Sequence, residues 1–87
     1  MTDEQARKVL VQAMRYANVI GLSAESRDAF EAGTADIVFD ELEMDSLAAM
    51  ELCIAIEANS GLSITPEQLA AAATGNEIVR LIVRVRQ

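Results

Sequence analysis

Apolar residues recur at helical spacing in several stretches of this chain, and polar caps mark where each begins. In the first, Ala6, Val9, Leu10, Ala13 and Ala17 share one side, with Arg7, Lys8, Gln12 and Arg15 on the other. Thr2 and Gln5 have the spacing of a capping box, and Asp3 and Glu4 oppose the positive end of a helix dipole. A helix is therefore expected from residue 3 to about residue 18. A long connection follows from Gly21 to Met44, too long to be wholly structureless in a compact domain. Within it, Ser26 to Ala32 can hold a helical turn or two ended by Gly33, and Ile37, Val38, Phe39 and Leu42 offer apolar groups to pin it to a core. The second main helix is expected to start at Asp45 or Ser46 and run to about Asn59, stopping at Ser60-Gly61. Thr65-Pro66-Glu67-Gln68 opens a short third helix ending near Ala73. Thr74 to Glu77 reads as another capping box, for a last helix with Ile78, Leu81, Ile82 and Val85 inward and Arg80, Arg84 and Arg86 outward. With no internal repeat and no linker, residues 1–87 read as one all-α domain. The expected fold is a four-helix bundle of three main helices and a short third, with a long loop between the first two.

The second main helix has an apolar stripe too many. At about 100° per residue, Ala49, Leu52, Cys53 and Ile56 fall in one sector, and Leu47, Met50 and Ile54 in a sector roughly opposite, flanked by Glu51 and Glu57. A surface helix needs one such stripe. Either the long loop covers the second, or it is a docking patch of exposed aliphatics edged by carboxylates. Both readings stay open at this level.

Composition narrows the class. The chain has 87 residues, 52% of them hydrophobic, yet only one Tyr, two Phe and no Trp, so its core must be aliphatic. A net charge of −7 argues against nucleic acid and anionic membrane as partners and favours a basic protein surface. From Asp28 to Val79 there is no Lys or Arg at all. One cysteine, Cys53, allows no internal disulfide, and its place on the core stripe reads as a small buried hydrophobe. Without His, and with that single Cys, no zinc site is expected. No apolar run reaches membrane-spanning length, and Thr2-Asp3-Glu4 is unlike the start of a signal peptide. A cytoplasmic monomer is the expectation.

Ser46, in Asp45-Ser46-Leu47, stands at a helix start inside the stretch without cations. Serine and aspartate are preferred N-caps, so either could simply terminate the helix. As a catalytic nucleophile Ser46 would need a base and an oxyanion site, and a chain with no His, one Lys and no Gly-rich elbow supplies neither. The protein is not expected to be an enzyme. A hydroxyl at a helix start among carboxylates suits a covalent attachment point on an acidic docking surface.

From Asp40-Glu41-Leu42-Glu43-Met44-Asp45-Ser46-Leu47, through Met50-Glu51-Leu52 and Glu57, the chain resembles the acyl carrier proteins. The similarity continues through Gly61-Leu62-Ser63-Ile64, the short third helix, and the Thr74-to-Ile78 start of the last. The resemblance implies a bundle whose motif serine, here Ser46 flanked by Asp45 and Leu47, receives 4′-phosphopantetheine from coenzyme A through a separate phosphopantetheinyl transferase. The arm's thiol, and neither Ser46 nor Cys53, would carry an acyl group as a thioester. Leu47, Met50, Glu51, Ile54 and Glu57 would then meet acyltransferase, ligase or synthase partners with basic docking surfaces. Three departures are visible. Glu43 stands where most members carry Gly; Ala48, Ala58 and Asn59 thin the acidic patch; Ser60 replaces a common core aromatic. These point away from a housekeeping fatty-acid carrier and toward a stand-alone acyl carrier of polyketide or related specialised biosynthesis. A free-standing peptidyl or aminoacyl carrier of a nonribosomal peptide route is the alternative within the family. An unmodified acidic helical adaptor is the alternative outside it, with a Cys53 redox switch further off.

Overall fold

The computed structural model describes residues 2–17, 21–39, 42 and 46–86, with Ser46 and Arg86 placed by their backbone. Among these residues the chain forms five helices: α1 (Asp3–Ala17), α2 (Ala24–Glu31), α3 (Ser46–Ser60), α4 (Pro66–Ala71) and α5 (Gly75–Arg86). The expected bundle of three long helices and a short one is present, and the long connection holds one further helix, α2. Its first turn is capped by Ser23, whose Oγ accepts from the Ser26 N–H at 3.1 Å. After α2, Gly33 takes φ +81°, a left-handed conformation that a Cβ would make costly.

Helix α1 is the axis of the molecule, packing on α3, α5 and α2. That accounts for a burial wider than a single stripe: Val11 and Met14 are buried besides Ala6, Leu10, Ala13 and Ala17. Its N-terminal capping box is formed in both directions, Thr2 N–H to Gln5 Oε1 at 2.9 Å and Gln5 N–H to Thr2 Oγ1 at 3.1 Å. The box at Thr65 and Gln68 is likewise reciprocal and opens α4 with Pro66 in its first turn. Phe30, Leu52, Ile56, Ile78 and Ile82 are fully buried around α1.

The connection before α3 is tied to the start of α5. Val38 and Thr74 form an isolated antiparallel bridge, the Phe39 N–H donates to the Ala73 carbonyl at 3.0 Å, and the Gly75 N–H to the Ile37 carbonyl at 2.7 Å. One carboxylate oxygen of Asp36 accepts from both the Ile37 and the Asn76 N–H, at 2.8 and 2.9 Å. This tether corrects two details of the sequence reading. Helix α4 stops at Ala71 rather than near Ala73, because residues 73–75 give their backbone to the bridge and Ala72 is already extended. At the start of α5 the Glu77 N–H donates to Thr74 Oγ1 at 3.2 Å, but the Glu77 carboxylate accepts from Ala73, one residue earlier than a capping box requires. Of the four apolar residues expected to pin the loop, Ile37 is buried, Phe39 and Leu42 pack partly against the core, and Val38 is exposed.

Candidate functional site

Helix α3 carries apolar residues on two sides. Leu52, Cys53, Ala55 and Ile56 are buried, with Ala49 partly so, against α1 and α4. On the other side Leu47, Met50 and Ile54 are 63%, 51% and 57% exposed. Of the two readings open from sequence, these exposures favour an open patch, and residues 36–38 of the long loop do not lie over it. The loop is drawn instead toward the start of α5 by the Asp36 and Val38 contacts. Glu51 and Glu57, both exposed, flank the three aliphatics on either side at about 100° per residue. The result is one strip, two turns long, of adaptable apolar groups between carboxylates.

Ser46 is the first residue of α3, at the positive end of the dipole of a 15-residue helix. No acidic residue occupies that first turn, and the helix dipole by itself favours an anion joined to residue 46. These features fit a phosphodiester at that position. Asp45, Asp40, Glu41, Glu43 and Met44, which the sequence reading places around the serine, lie outside the described residues.

The far end of α3 closes on polar contacts. Ser60 Oγ donates to the Ile56 carbonyl at 2.6 Å and accepts from the Leu62 N–H at 3.2 Å, while Gly61 turns with φ +74°. A serine here ends the helix with two hydrogen bonds and does not fill the core. Cys53 is buried as expected. Burial first, and the Glu67 carboxylate second, push its thiol above its ordinary value. Such a thiol is a poor nucleophile.

Two structural residues escaped the sequence reading. Phe30 of α2 is fully buried against Gly75, where a Cβ would lie 2.7 Å from Phe30 Cε1. Asp36 gives no local signal because its second donor, Asn76, is 40 residues away. A Phe at the end of a short helical stretch was the available hint for the first; nothing in the sequence marked the second.

Among the described residues no group of three or more His, Cys, Asp or Glu could hold a metal, and no helix is long and apolar enough to cross a membrane. The family model described as phosphopantetheine attachment site matches residues 16–82. No curated protein and no solved structure matches the chain.

Proposed function

The chain belongs to the phosphopantetheine attachment site family, and on that premise we propose that Ser46 is its attachment residue and the outer face of α3 its docking surface. Members of this family carry 4′-phosphopantetheine covalently, so residues 16–82 form a phosphopantetheine carrier domain, and we assign it the holding of cargo and no catalytic step. The group supplies a terminal thiol on which cargo is held as a thioester. Ser46 contributes its hydroxyl oxygen to the phosphodiester, at a helix end whose field favours the anion. Leu47, Met50 and Ile54 offer apolar contact to the enzyme that reaches the serine, and Glu51 and Glu57 orient a basic surface over it. Asp45 and Leu47 flank the attachment point within the motif.

The observation that carries this reading is the coincidence of Ser46 with the first residue of a helix whose outer face, among the described residues, leaves three large aliphatics exposed. The cargo we assign is an acyl intermediate of a polyketide or related specialised route. Support comes from Ala48, Ala58 and Asn59, which thin the acidic surface, and from Ser60, which ends α3 with hydrogen bonds. The partners are a phosphopantetheinyl transferase and acyltransferase, ligase or synthase enzymes with basic faces.

Loading tests the assignment. Protein converted with coenzyme A and a transferase is offered either a malonyl-transferring enzyme or amino acids with an adenylating enzyme. Acyl loading at the arm supports an acyl carrier, whereas aminoacyl loading alone transfers the protein to the peptidyl class. Retention of a partner by Ser46→Ala protein that has lost all cargo-dependent function is expected. A cellular role intact in Ser46→Ala would instead indicate an unmodified adaptor.

A further inference from the structure

On α4 and α5, an open groove of about 380 Å³ carries the features of a ligand site that α3 does not use. Its volume lies toward the lower end of small-molecule pockets, roughly 300–1,000 Å³. Ala71, Ala72 and Leu81 supply apolar lining, and Gln68, Arg80 and Arg84 supply donors. Arg80 and Arg84 are one helical turn apart, on one face of α5.

Three observations make these donors available. The chain has 14 acidic and 7 basic residues, yet among the described residues the ion pair is between Lys8 and Glu4 and involves neither arginine. Glu77, the carboxylate that also lines the groove, is turned onto the Ala73 N–H. Gln68 spends its Oε1 on the Thr65 N–H at 2.9 Å, which leaves its NH₂ as the free end of the amide. The groove also sits where the long cation-free stretch ends, at Val79-Arg80.

We infer that this groove binds a small ligand with a carboxylate-type oxyanion head and a short apolar body. The two guanidinium groups and the Gln68 NH₂ would donate to the oxyanion, since planar guanidinium forks match carboxylate geometry. The body would lie on Ala71, Ala72 and Leu81. This site does not involve Ser46 or the outer face of α3.

The test is a ¹H–¹⁵N NMR titration of Ser46→Ala protein, which cannot take an arm, with sodium hexanoate, inorganic phosphate or neutral hexanamide. Hexanoate is expected to give saturable shifts at the amides of Ala71, Ala72 and Leu81 and at the Nε–H groups of Arg80 and Arg84. Hexanamide and phosphate should bind about tenfold more weakly, each lacking one half of the recognition. Arg80→Gln and Arg84→Gln, both at exposed positions, should each weaken hexanoate severalfold while the circular dichroism spectrum stays helical. Absence of saturable shifts, equal response to hexanamide, or shifts centred on α1 or α3 would each overturn the inference.

Discussion

Gly75 has no side chain because Phe30 occupies the space one would need. A Cβ there would stand 2.7 Å from Phe30 Cε1 and 3.0 Å from Cζ, and Phe30, fully buried, has little freedom to withdraw. Gly75→Ala is expected to cost about 1–3 kcal/mol in urea unfolding, and Phe30→Leu in the same chain should recover part of that loss. Cys53 offers a second residue-scale check. Its thiol lies above its ordinary 9.0 in the folded state, so the native protein holds that proton more tightly than the unfolded chain. The resulting contribution is complete below pH 9.0 and declines as pH rises above it; Cys53→Ala should flatten the alkaline fall of stability. Alkylation of Cys53 near neutral pH should be slow in the native protein and fast in urea. The burial of Cys53 and the exposure of Glu51 and Glu57 were legible in the sequence because helical phase alone decides them. Gly75 was not, because its reason sits in another helix.

Among the elements, α3 is where function and stability separate by side. Leu52→Ala, on the inner side, should destabilise the fold by roughly 2–5 kcal/mol. Ile54→Asp on the outer side should change stability by no more than about 0.5 kcal/mol while lowering the rate of modification by a transferase, measured as kcat/KM. Both sides were legible in the helical phase, but whether the loop would cover the outer one was not. Deciding it took the Asp36 tether, a contact 40 residues long in sequence. Asp36→Ala removes the acceptor of two backbone N–H groups, and a loss of about 1–3 kcal/mol in thermal or urea unfolding is expected. The starts of α1, α4 and α5 were readable because Thr2, Thr65 and Thr74 each supply a cap to the third residue on, whereas α2 begins at Ala24 behind Ser23, two residues before the Ser26 start expected from sequence. The end of α4 was not, since the bridge to Val38 competes for that backbone.

Across the whole molecule, charge is divided. A stretch without cations runs from Asp28 to Val79 and includes all of α3, while three of the seven basic residues crowd into α5. Encounter with a basic partner enzyme should therefore be steered to the α3 side, and its association rate should fall as ionic strength rises, with dissociation changing less. Stopped-flow binding at two salt concentrations measures this directly. The central claim concerns one atom in this field, the Ser46 hydroxyl oxygen, and intact-mass analysis reaches it. Wild-type and Ser46→Ala proteins are incubated with coenzyme A, magnesium and a promiscuous phosphopantetheinyl transferase. The wild type should gain one phosphopantetheinyl group and Ser46→Ala none. A gain by Ser46→Ala, or none by the wild type with several such transferases, would contradict the assignment.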